Sequence, residues 1–150
     1  MKTRELYNII DAFCPKTLSC SWDNDGIMVS PSLDAEVKRV LLSLDATYEA
    51  VSYAADYGYD TLITHHPMLF RGAKSVNETT LSGRRIIRAL SSGVTVMSFH
   101  TRLDACEGGV NDELMNRLGF TPTGVFGDEE SPPLARIADI PPMTARELAC

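Results

Sequence analysis

From Val37 to Gly119 the chain alternates short apolar runs with stretches of helical periodicity, and the helical stretches close on Gly58, Gly93 and Gly119. Few folds satisfy such an order, because successive parallel strands need a helical crossover and that crossover is right-handed. Val40-Leu41-Leu42-Ser43-Leu44 is a near-continuous apolar run, as expected for a strand covered on both faces. Thr47 stands where it can cap a helix carrying Ala50, Val51, Ala54 and Ala55. Thr61-Leu62-Ile63-Thr64 reads as the second strand. A looser segment from Met68 to Thr80 leads into a helix with Ile86, Ile87 and Leu90, and Val94 to Phe99 makes the third strand. Val110 to Leu118 is the last helix of the series. The alternation predicts an α/β fold with a mainly parallel sheet and helices on both faces, in one domain over residues 1–150.

The flanks add less regular pieces. Leu6, Ile9, Ile10 and Phe13 recur at helical spacing after Thr3, a candidate N-cap, and Pro15 closes that helix. The polar run Ser21-Trp22-Asp23-Asn24-Asp25-Gly26 then reads as a turn entering a short strand, Ile27-Met28-Val29. Near the other end, Asp128 to Pro133 is an acidic loop and Ala135 to Ile140 a strand. Thr144 and Glu147 have capping-box spacing, yet the chain reaches Cys150 less than two turns later. So short an isolated helix is unstable in water, which predicts the N-terminal part of a longer chain, truncated at its C-terminus.

Net charge narrows the partners. Fourteen basic against 20 acidic residues give −6, which argues against general affinity for a phosphate backbone, so no nucleic acid is expected. Arg84, Arg85 and Arg88 fall at helical spacing and read as a solvated helix face. No apolar run approaches the roughly 20 residues that span a bilayer, so no membrane partner is expected. The opening Met1-Lys2-Thr3-Arg4-Glu5 has no apolar segment behind it, and a cytoplasmic location is the expectation. Cys14, Cys20, Cys106 and Cys150 form no CxxC pair and are expected as free thiols, with Cys14 in the core.

The candidate chemistry lies at strand ends. All three histidines sit there: His65 and His66 follow the second strand, and His100 follows the third. Asp45 closes the first strand, and Asp104 lies four residues past His100. Ligands of open parallel sheets bind beyond the carboxyl ends of the strands, so these groups gather on one edge. Imidazole and carboxylate suit borderline divalent ions such as zinc, iron or manganese. Neighbouring residues of an extended strand point to opposite sides, and Pro67 keeps His66 extended. That predicts a pair of ions on either side of the strand end, bridged by Asp104, in the manner of two-metal hydrolytic sites. Asp45 is set aside as a helix cap, Trp22 and Phe70 as packing residues. Gly108-Gly109 lacks the spacing of a phosphate loop.

The segments Leu62-Ile63-Thr64-His65-His66-Pro67, Ser98-Phe99-His100-Thr101-Arg102-Leu103-Asp104 and Gly109-Val110-Asn111-Asp112 resemble the interacting-factor-three-like family. This is also called the GTP cyclohydrolase I type 2, or dinuclear metal-centre, family. Trp22-Asp23-Asn24-Asp25-Gly26-Ile27 resembles its N-terminal signature, and the likeness runs from about Leu6 to Phe120. The resemblance implies an α/β fold assembled into a toroidal homohexamer with a dinuclear metal centre in each subunit. It implies His65, His66 and Asp104 as metal ligands, His100 beside the metals as the catalytic candidate, and Asn24 facing the same cavity. The family completes its site with a His-x-x-x-Glu pair late in a longer chain, and no histidine follows Asp104 here.

Two functional readings follow. One is a metal-dependent hydrolase of a nucleotide or another phosphorylated small molecule, such as GTP, with His100 as general acid/base. The other is a non-catalytic metal-binding scaffold or regulatory protein. An α/β domain with purely structural histidines is the third, plain alternative.

Overall fold

A computed structural model describes residues 1–127 and 132–149. The acidic loop read at Asp128 to Pro133 lies largely outside the described residues, as does Cys150. Helix α1 (Thr3–Phe13) and a 3-10 turn (Lys16–Leu18) precede strand β1 (Gly26–Val29). Strand β2 (Val40–Ser43), helix α2 (Tyr48–Asp56), strand β3 (Thr61–Thr64), helix α3 (Leu81–Ser91) and strand β4 (Thr95–Ser98) form the predicted alternation. Helices α4 (Thr101–Ala105) and α5 (Val110–Arg117) follow, then strands β5 (Gly124–Phe126) and β6 (Ala135–Ile137) and helix α6 (Ala145–Leu148).

The main sheet has the order β1-β4-β3-β2. β2, β3 and β4 are parallel, and β1 joins β4 antiparallel as an edge strand. Helix boundaries follow their signals. The hydroxyls of Thr47 and Thr80 accept from the amides of Ala50 and Gly83, and Gly58 and Gly93 take the positive φ that ends a helix and turns the chain back. Thr3 is not the cap of α1. Lys2 holds that position, and Thr3, fully buried, gives its amide and hydroxyl to the Ala35 carbonyl at 2.9 and 3.3 Å. Thr144 and Glu147 do form the capping box of α6.

Period-two alternation divides the sheet between two layers. Leu62 and Val96 point to one face, where Val51 and Ala54 of α2 and Ile86 and Ala89 of α3 cover them. Ile63 and Met97 point to the other, against Cys14, Phe99, Cys106 and the apolar side of α1. The first strand departs from its prediction. β2 lies at the sheet edge, beyond the reach of α1, so Leu42 stays 73% exposed and Leu44 62% exposed. The arginines of α3 are more than a solvated face. Arg85 donates to the Ala46 carbonyl at 2.9 Å, Arg88 pairs with Asp56, and Arg84 lies over the Tyr48 ring, which ties α3 to α2. Cys14, Cys20 and Cys106 are buried free thiols, and burial pushes the Cys14 thiol up to about 11.

Candidate metal centre

Sheet register decides which strand-end residues meet. Ser43 pairs with Thr64, and Thr64 with Ser98, so Asp45, His66 and His100 each lie two residues beyond a common rung. Two further bonds extend the ladder past the strands, from the His66 amide to the Leu44 carbonyl and from the Phe99 amide to the Thr64 carbonyl, each 3.0 Å. The candidate groups are therefore carried on a continuation of the sheet's hydrogen-bond ladder.

The side chains of His65 and His66 do not diverge as an extended strand requires. β3 ends at Thr64, and both histidines lie in the bend after it. The Thr64 hydroxyl donates to the His66 carbonyl at 2.8 Å and holds that bend. The two rings approach to 5.0 Å between centroids, and His100 stands 5.3 and 5.7 Å from them. One ring nitrogen from each of the three lies within 4.8 Å of the others. Asp104 Oδ1 stands 3.6 Å from His65 Nε2, well inside the separation that a shared metal site tolerates. The expectation of ions on opposite sides of a strand thus gives way to three imidazoles facing one space.

Each imidazole has an acceptor on its Nδ1. For His65 it is the Phe99 carbonyl at 3.2 Å, for His66 the Asp45 carboxylate at 2.7 Å, and for His100 the Asp23 carboxylate at 2.9 Å. A carbonyl or carboxylate accepts only, so the proton sits on Nδ1 and the Nε2 lone pair is left for a cation. This outer set of acceptors is what metal-binding histidines usually carry. Asp45, set aside as a helix cap, belongs here, since Thr47 performs the capping. The donor set fits a borderline divalent ion.

Burial favours the neutral forms of His65 and Asp104. Burial lowers the pKa of His65, and Asp104 beside it only partly opposes that. Burial likewise raises the Asp104 carboxyl, against the pull of His65 and His100. Asp23 behaves differently. Burial works to raise it, but the bonds from the Thr101 hydroxyl, His100 and the Thr101 amide outweigh that and hold it below the usual carboxylate range.

Sequence reasoning missed Asp23 and Asp25, whose side chains are fully buried. Both come from the polar run read as a turn, and they receive the amides at the start of α4: His100 N to Asp25 at 3.2 Å and Thr101 N to Asp23 at 3.1 Å. Asn24 gives its amide to the Leu69 carbonyl and so joins two loops. Trp22 and Phe70 are not packed away. They stay 57% and 46% exposed and meet His100 edge-on, each 6.4 Å from its ring. Gly109 explains the Gly108-Gly109 pair, since a Cβ there would lie 2.0 Å from the Leu103 carbonyl of α4.

Fold and site together define an α/β protein with a candidate histidine–carboxylate metal centre at the carboxyl edge of its sheet. The chain belongs to the Duf34/NIF3 (NGG1p interacting factor 3) family, whose sequence profile matches residues 1–149. It is 36% identical over 126 residues to a GTP cyclohydrolase 1 type 2 homolog of Clostridium acetobutylicum, covering 84% of this chain and 47% of that protein. A homolog of the same name from Clostridium perfringens is 38% identical over 129 residues, covering 86% and 48%. Among solved structures, reduced HcgD from Methanocaldococcus jannaschii superposes with a TM-score of 0.77 at 30% identity, covering 84% of this chain and 50% of that one. Staphylococcus aureus protein SA1388 gives 0.76 at 35% identity, covering 81% and 34%. The chain spans about half the length of these Clostridium relatives. No helix among the described residues is long and apolar enough to cross a membrane.

Proposed function

We propose that the protein is a metal-dependent hydrolase of a nucleotide or another phosphorylated small molecule, with GTP the leading candidate. His65, His66 and Asp104 hold the divalent ions, and His100 moves protons. The observation that carries this reading is the convergence of three imidazoles whose Nδ1 atoms are all engaged by acceptors. Bound divalent ions supply an activated water and a clamp for a developing oxyanion. The chain's own part is to fix the ligand geometry, to place His100 beside the reacting group, and to hold the ring of the substrate. Homo-oligomerisation, a hexamer by family resemblance, belongs to the same proposal, and exposed Leu42 of β2 and Leu44 just beyond it are consistent with it.

Two measurements test the reading. Elemental analysis of protein purified without chelator is expected to find divalent metal. Metal-loaded, full-length protein is then expected to turn over GTP or a simple phosphoester. Metal without turnover of any nucleotide or phosphoester would return the chain to the non-catalytic scaffold reading. Metal content below about a tenth of an equivalent per chain, where a site of this donor type should fill, would leave only structural histidines.

The exposed aromatic corner favours a ring-bearing substrate, because base–aromatic stacking contributes about 1–3 kcal/mol per base. Trp22 is the only tryptophan, so its fluorescence reports this corner alone. Titration with GMP is expected to quench it, while ribose 5-phosphate, with the phosphate but no base, leaves it unchanged. Equal responses to both would remove the stacking role.

A further inference from the structure

We propose that Asp23 is a positioning residue that locks His100 in the Nδ1–H tautomer, so that its Nε2 meets the cluster as a base. The direction of the bonds at Thr101 can be traced to main-chain amides, which only donate, and the Asp23 carboxylate accepts the rest. The Cys20 amide donates to the Thr101 hydroxyl oxygen at 3.0 Å. The Thr101 hydroxyl hydrogen is then free to go to Asp23 Oδ2, at 2.5 Å. That same oxygen also takes the Thr101 amide at 3.1 Å. Asp23 Oδ2 is thus occupied by donors, and Oδ1 faces His100 Nδ1 at 2.9 Å. The Asp23 side chain is fully buried, so no solvent competes for these positions. The backbone of His100 is held separately, by its amide on Asp25 Oδ2 at 3.2 Å. Asp23 Oδ1 therefore governs the ring's proton, while its Oδ2 anchors Thr101 and Asp25 anchors the His100 amide.

The substitution Asp23→Asn makes the argument testable, because it keeps the shape and changes one oxygen into a donor. Two hydrogens from Thr101 point at the Oδ2 position, so the amide oxygen must stay there. The new NH2 then faces His100 Nδ1, which can remain bonded only by giving up its proton. The imidazole switches to the Nε2–H tautomer and turns a donor, not a lone pair, toward His65 and His66. A merely structural role for Asp23 predicts no such switch. The consequence for catalysis rests on the hydrolase reading above, whereas the tautomer does not.

The experiment is long-range proton–nitrogen correlation NMR of 15N-histidine protein, stripped of metal with chelator and held near pH 8, above the usual histidine range. With three histidines in the chain, each ring is resolved and His100 is assigned through His100→Gln. The wild type is expected to show a protonated Nδ1 and a bare Nε2 for His100. Asp23→Asn is expected to show the reverse at His100 alone, with His65 and His66 unchanged. An Nε2–H signature in the wild type overturns the proposal by itself, whether or not the variant folds. A folded Asp23→Asn protein that retains the Nδ1–H form overturns it as well. Neither result depends on turnover, so failure here is separable from failure of the hydrolase reading.

Discussion

Arg102→Met is expected to destabilise the chain by about 3–5 kcal/mol, the usual result of removing one partner from a buried ionic network. Arg102 is fully buried in the first turn of α4. Its Nε donates to Asp25 Oδ2 at 2.9 Å, and one terminal nitrogen reaches Asp11 Oδ1 at 2.5 Å. The other terminal nitrogen donates to the Tyr7 hydroxyl at 3.3 Å, and the guanidinium lies 4.5 Å from the centre of the Phe99 ring. Methionine fills most of the volume but leaves buried Asp25 with only Lys16, Ser19 and the His100 amide. Arg102→Lys should recover little, since one ammonium cannot serve Asp25, Asp11 and Tyr7 in a plane. Urea unfolding followed by circular dichroism measures the loss. With total stability of about 5–15 kcal/mol, the variant should be partly unfolded without denaturant at the lower end of that range. A loss under about 1 kcal/mol, the scale of an exposed pair, would show that the network adds nothing to the fold. Arg102 stands between His100 and Asp104 in sequence, so the same variant is expected to loosen the candidate metal centre.

That network marks where sequence reasoning ended. The strands β3 and β4 were legible because Thr61 to Thr64 and Val94 to Phe99 are short runs bounded by turn signals, and Thr47, Gly58 and Gly93 mark the helix ends between them. The gathering of His66 and His100 was legible too, because parallel strands put their carboxyl ends at one level. The antiparallel direction of β1 was not, since Ile27 to Val29 carries no mark of direction. Nor was the hairpin partner of β6, where Gly124 to Phe126 is too short to stand out. The approach of His65 to His66 depends on a bend fixed by the Thr64 hydroxyl, a contact that strand periodicity cannot foresee. Asp23 and Asp25 were hidden for a different reason. Their partners from His100 to Arg102 lie 75 to 78 residues away, and an Asp-Asn-Asp run in isolation looks like any polar turn. Long-range polar pairs have no period, so only the assembled fold displays them.

Alanine at His65, His66 or Asp104 is expected to lower zinc affinity on the order of 100-fold or more, beyond the 10–100-fold that loss of an outer partner causes. The three are not equivalent in the metal-free protein. Burial lowers the pKa of His65 and so favours the neutral imidazole, whose Nε2 takes a cation without displacing a proton. Burial also raises the Asp104 carboxyl, so part of the binding energy goes into holding that group ionised. Affinity should therefore fall as pH drops, through protonation of the imidazoles and of Asp104 alike, and Asp104→Asn should remove the carboxylate's share of that dependence along with most of the affinity. Competition with a zinc chelator of known strength, read at several pH values, gives both quantities. Trp22→Phe serves as the control, because its ring lies 6.4 Å from His100 and offers no ligand atom. Should all three alanine variants bind zinc within about threefold of the wild type, a span smaller than any ligand loss produces, the imidazole cluster would not be the metal site.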